Sequence, residues 1–116
     1  MNQLLWHHPK TGAFFVGTKE VQRLSPLQRR LLNVFLEHPN IYLTKTKIIE
    51  EAWPAEDARD GVSDAALQRQ ISSLRQLLGE YSKKEFIRTW RGIPEGGYRL
   101  INCGSVEPQP FLLAQT

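Results

Sequence analysis

The chain has 116 residues, 41% apolar and 23% charged, enough for one hydrophobic core and ordinary for a globular domain. One cysteine, Cys103, excludes an internal disulfide or multi-cysteine zinc site, and no apolar run nears the roughly 20 residues of a membrane span. The net charge is +3, and the start MNQLLWHHPK lacks the apolar core of a secretory signal, so a reducing, cytoplasmic setting is expected.

Residues 1 to 24 read as strands. Leu4, Leu5 and Trp6 form a first run, and His7 to Gly12 its loop. Phe14, Phe15 and Val16, bounded by Gly12 and Gly17, form a second β-prone run. A turn at Thr18-Lys19-Glu20 then leads to an extended stretch at Val21, Arg23 and Leu24. Ser25-Pro26 reads as a helix start, with serine as N-cap and proline at the first helical position. Leu27, Leu31, Leu32 and Phe35 supply the apolar face, and Pro39 stops the helix. After an extended piece at Ile41-Tyr42-Leu43, Thr44 caps a second helix running to about Trp53, with Ile48, Ile49 and Ala52 inward.

The segment from Pro54 to Gly61 reads as an acidic loop. Between Glu50 and Asp64 there are six acidic side chains and one basic one, so the rest of the chain carries +8. That segregation favours a basic surface on one side and a loop that avoids phosphates on the other.

A third helix begins near Ser63 and ends around Leu78, with Gly79 as its stop. Leu67, Ile71, Leu74 and Leu78 form one apolar stripe, and the opposite side carries Ala65, Gln68, Arg69, Ser72 and Gln76. Phe86 to Trp90 and Tyr98 to Ile101 read as a hairpin bearing Arg88, Arg91 and Arg99, with Gly92, Gly96 and Gly97 near its turn. A helix with an apolar back and a polar front, followed by a basic hairpin, is what groove reading of duplex DNA requires. Residues 1–102 are thus expected to form a winged helix-turn-helix of α+β class: N-terminal antiparallel sheet, three-helix core and C-terminal β-hairpin wing. Residues 103–116, with Pro108 and Pro110, are expected to be a loosely ordered tail.

The candidate contacts follow from residue type. Arg69 suits a bidentate contact to guanine, and Gln68 one to adenine or a bridge to phosphate, with Ala65 and Ser72 beside them. Lys45, Thr46 and Lys47 lie in the first turn of the second helix, where unpaired N–H groups and the helix dipole favour a phosphate. Arg75, Arg88, Arg91, Tyr98 and Arg99 complete a basic rim that positions without specifying sequence. His7, His8 and His38 have no cysteine or carboxylate cluster at ligand spacing, so no metal or cofactor is expected. Nothing resembles a catalytic triad or a phosphate-binding glycine loop, and the chain is not expected to be an enzyme.

Four stretches resemble the OmpR/PhoB-type DNA-binding effector domain of bacterial response regulators. They are Leu24 to Leu32 with its Ser-Pro helix opening, Leu43 to Trp53, Val62 to Gly79, and Ile87 to Gly92 with Gly97 to Leu100. The resemblance implies a recognition helix over 63–78 in the major groove and a wing over 86–101 at the adjacent minor groove. It also implies DNA-induced dimers on direct repeats, an RNA polymerase contact through the 54–61 loop, and a two-component system. Trp53 is expected either to pack in the core or to donate its indole N–H to a phosphate, as its counterpart does in relatives.

The chain departs from the family pattern in three places. Gln70, Ser72 and Ser73 stand where many relatives carry a histidine and two arginines, and Gln70 and Ser73 are read as phosphate contacts. Ile93-Pro94-Glu95-Gly96 lengthens the wing tip, where Glu95 opposes deep insertion between phosphates. No receiver domain precedes the sheet, which suggests a stand-alone regulator or a fragment. The alternative is a winged helix used for protein–protein docking or autoinhibition.

Overall fold

Three short strands open the chain in the computed structural model, which describes residues 3–92 and 95–104. Strands β1 (Leu5–His7), β2 (Phe14–Val16) and β3 (Lys19–Glu20) pair antiparallel in that order. Leu5 faces Val16 and Trp6 faces Phe15 across the first pair. The two-residue period sends Leu5, Phe14 and Val16 into the core. On the other face Trp6 and Phe15 stack at 4.7 Å, and the Trp6 Nε1–H donates to the Gly17 carbonyl at 2.8 Å. The third strand lies at Lys19–Glu20, where a turn was expected, and not in the stretch 21–24. Val21 closes the pairing by donating its N–H to the Phe14 carbonyl, and Arg23 then takes a left-handed φ of 66° that redirects the chain into the first helix.

Helix α1 (Pro26–Glu37) starts as expected. The Ser25 hydroxyl accepts from the Gln28 N–H at 3.1 Å, and the Gln28 side-chain oxygen accepts from the Ser25 N–H at 2.9 Å, a closed capping box. Leu31, Leu32 and Phe35 are fully buried. Strand β4 (Leu43–Thr44) leads into α2 (Lys45–Ala52), whose N-cap Thr44 accepts from the Lys47 N–H.

The acidic segment is a short helix, α3 (Ala55–Asp60), where a loop was expected. It buries no residue, so it leaves no apolar period to read. Glu56 and Asp57 in its first turn complement the dipole, and Gly61 ends it at a φ of 95°. Helix α4 (Asp64–Gly79) is capped by the Ser63 hydroxyl and buries Leu67, Ile71, Leu74 and Leu78. Gly79 is the last helical residue, not a left-handed stop, and Glu80 continues in helical geometry.

Strands β5 (Ile87–Trp90) and β6 (Gly97–Leu100) form the hairpin, and β4 adds to it in the order β4-β6-β5. Leu43 lies opposite Tyr98 and Thr44 opposite Gly97. The core runs continuously from β1 and β2 through α1, α2 and α4 to Ile87 and Leu100. Cys103 and Gly104 return to the first sheet, where the Gly104 N–H donates to the Leu5 carbonyl at 2.9 Å. The wing-tip residues 93 and 94 and the tail 105–116 lie outside the described residues.

Candidate nucleic-acid interface

The apolar stripe of α4 fixes which side of that helix meets solvent. With Leu67, Ile71, Leu74 and Leu78 buried, Ala65, Gln68, Arg69, Ser72, Ser73 and Gln76 are exposed and line one shallow surface groove. Among the described residues, no hydrogen bond or ion pair engages the side chain of Arg69 or Gln68. Gln70 is half-buried at the edge of this face. The Ser73 hydroxyl accepts a hydrogen bond from Gln28 Nε2 at 3.0 Å. Gln28 is itself buried, so this one side chain caps α1 and ties it to α4.

Arg75 joins the helix to the hairpin. Its Nε and Nη2 donate to the Ile87 carbonyl at 3.2 and 3.0 Å, and Nη2 also donates to Thr89 Oγ1 at 2.7 Å. Its guanidinium stands 5.8 Å from the centre of the buried Tyr98 ring. Three donated bonds from one guanidinium hold the angle between α4 and the wing, as the rigid fork of arginine allows.

The hairpin's other cations differ in availability. Arg88 pairs with Glu85 at 3.1 Å. Arg99 stacks 4.5 Å over Tyr42, whose ring meets Trp90 at 5.3 Å, and its Nε is buried with no partner among the described residues. Arg91 is exposed and has no ion pair among the described residues. Between α4 and the hairpin lies a cleft of about 600 Å³, bounded by Lys45, Gln68, Ser72, Arg75, Arg91, Glu95 and Tyr98.

The start of α2 forms the third side. Lys45 Nζ pairs with Asp64 at 3.3 Å, and Lys47 Nζ pairs with Glu51 one turn on. The Lys47–Glu51 hydrogen bond raises the lysine pKa and lowers that of the carboxylate. Thr46 donates from its N–H at 2.7 Å and from its hydroxyl at 2.9 Å, both to the carboxylate of Glu95. Trp53 is half-buried against the core, and beside Arg30 and Pro54 it lines a second groove on the α1–α2 side.

Two arrangements escaped the sequence. Glu95 reads along the chain as a repulsive tip, yet the fold sets it on the N-terminus of α2. Glu37, His38 and Glu51 bring one ligand atom each to within 4.8 Å of one another, from the ends of two helices, where no carboxylate cluster was expected around His38. Glu51 there already holds the Lys47 ammonium. Burial pushes the Cys103 thiol above its ordinary pKa, which disfavours the thiolate.

This arrangement has a counterpart among known proteins. Residues 19–100 match the family described as transcriptional regulatory protein, C terminal. The chain belongs to that family. It is thus a winged-helix, OmpR/PhoB-type DNA-binding domain of a transcriptional regulator, with the two sheets and the α4–hairpin pair described above. The cholera toxin homolog transcriptional activator of Vibrio parahaemolyticus serotype O3:K6 (strain RIMD 2210633) is 36% identical to it over 83 residues. That match covers 71% of this chain and 27% of the relative, so the chain corresponds to about a quarter of that protein's length. Among the described residues, no helix of this transcriptional-regulator domain is long and apolar enough to cross a membrane.

Proposed function

We propose that the domain reads a specific double-stranded DNA sequence, with α4 in the major groove and the β5–β6 hairpin at the neighbouring minor groove. The observation that carries this is the exposed face of α4, where Gln68, Arg69 and Ser72 stand together on a helix braced to the hairpin by Arg75. Arg69 contacts guanine, Gln68 contacts adenine, and Ala65 and Ser72 flank them. Lys45 and Arg91 border the cleft beside Gln68 and Ser72, and with Thr46 and Lys47 they engage phosphates, which set register without reading bases. Trp53, Gln70 and Arg99 are peripheral phosphate contacts at most, since each is half-buried, and Arg88, like Lys45 and Lys47, leaves a carboxylate partner to reach a phosphate.

The remaining expectations belong to the same reading. The domain acts in the cytoplasm on bacterial promoters, as the effector part of a two-component regulator. It pairs on direct repeats when DNA is present, and its acidic α3 meets RNA polymerase. The relative's description as a transcriptional activator supports an activating role. Membership of a transcriptional-regulator family supports a non-enzymatic role.

Selection from a randomised duplex pool, followed by affinity measurements at two salt concentrations, tests this. An enriched motif is expected, with log affinity falling against log salt by about 0.9 per phosphate contacted. An unenriched pool together with salt-independent binding would sink the DNA reading and favour protein docking.

A further inference from the structure

The N-terminus of α2 already holds an anion, and the anion is the protein's own. Strand β6 follows β4 backwards in a continuous run, with Tyr98 opposite Leu43 and Gly97 opposite Thr44. The run continues as the Lys45 N–H donates to the Gly96 carbonyl at 3.2 Å and Thr46 donates twice to Glu95. Close approach of the two backbones makes this possible. A Cβ at Gly97 would lie 1.9 Å from the Leu43 carbonyl oxygen, and Gly96 takes a φ of 75°. The wing therefore delivers a carboxylate to the Thr46 N–H and hydroxyl in the first turn of α2, where a helix favours an anion.

We propose that Glu95 is a built-in competitor for the DNA backbone, occupying the phosphate seat at Thr46 until a duplex displaces it. The inference rests on the DNA-binding reading above and adds to it a regulated affinity. Two features of the surroundings fit. Lys45, which lines the same cleft, pairs with Asp64, and the carboxylate is held by Thr46 alone among the described residues. Gly96 and Gly97 are pinned by backbone pairing, so vacating the seat requires only rotation of the Glu95 side chain. When that happens the carboxylate points away from the duplex, the Thr46 N–H and hydroxyl pass to a phosphate oxygen, and the wing stem does not move.

The consequence is a threshold. A DNA-binding surface with a resident carboxylate discriminates against single, weakly placed phosphates, because each must first replace a charge-assisted pair. Duplexes that also satisfy Arg69 and Gln68 supply the balance. Glu95 thereby lowers affinity for all DNA while sparpening nothing at the base edges themselves, and it sets how tight the specific contacts must be before the domain stays bound.

The test compares the wild-type domain with Glu95→Gln and Glu95→Ala on the selected duplex and on a scrambled one, across salt concentrations. Both variants are expected to bind both duplexes more tightly, Glu95→Ala by about tenfold at low salt, with a log–log salt slope steeper by about one. The amide resonance of Thr46 gives a second readout. It is expected to shift in free Glu95→Ala, and to shift in the wild type when DNA is added. Unchanged or weaker binding by both variants, with wild-type binding intact, would overturn the competitor role and make Glu95 a strut that holds the wing. A Thr46 amide unmoved by DNA would do the same. If neither the wild type nor the variants bind any duplex, the DNA reading itself fails and takes this inference with it.

Discussion

The outer face of α4 and the junction of α2 with the hairpin both carry the polar and basic side chains of a DNA-binding surface, but in opposite states. On α4, Arg69 and Gln68 stand exposed and unengaged among the described residues. At the junction, Arg75 is bound to β5, Arg99 to Tyr42, Lys45 to Asp64, Lys47 to Glu51 and Thr46 to Glu95. Residue type does not distinguish the two regions; engagement does. An arginine already hydrogen-bonded to a carbonyl positions the interface, whereas an unengaged one is available to read it.

The largest expected effect comes from breaking the junction at its backbone. Gly97→Ala puts a methyl group against the Leu43 carbonyl and should cost about 3 kcal/mol of stability in a urea melt. Wing placement and DNA binding should fall with it, and an unaltered melt would show that β4 and β6 have slack to give.

The comparison sharpens with two arginines six residues apart on one helix. Arg69→Ala should weaken binding to the selected site by about 1–3 kcal/mol, relax preference at one base pair and leave the melt unchanged. Arg75→Ala should lower stability by about 1–2 kcal/mol through its lost bonds to Ile87 and Thr89. It should weaken all duplexes alike, without altering base preference. If the two variants gave the same pattern, the division between reading and positioning would collapse.

The smallest effect is expected at Ser73, which lies on the exposed face yet is engaged by Gln28. Ser73→Ala should cost below about 1 kcal/mol by leaving the Gln28 amide one partner short. DNA affinity should hardly change, and a clear loss of affinity with an intact melt would return Ser73 to the phosphate contacts.

Much of this architecture is legible along the chain because it is local. Ser25-Pro26, Thr44 and Ser63 announce helix starts through hydrogen bonds that reach only three residues ahead. The spacing of Leu67, Ile71, Leu74 and Leu78 assigns the two sides of α4, since a helix repeats its faces every few residues. Where no such signal exists, the reading fails. Helix α3 buries nothing and so shows no period, and the short β3 depends on pairing with Phe15 and Val16 rather than on its own residues.

The sequence by itself therefore determined the order of the elements other than β3 and α3, the winged-helix class and the face of α4 turned to solvent, all through short-range patterning. Only the tertiary structure decided which polar groups remain available. Gln28 meets Ser73 across 45 residues, Thr46 meets Glu95 across 49, and Glu37 and His38 converge with Glu51 from two helices. Such partners are chosen by the packing of elements in space, and no spacing along the chain encodes the distance between two side chains that only folding brings together.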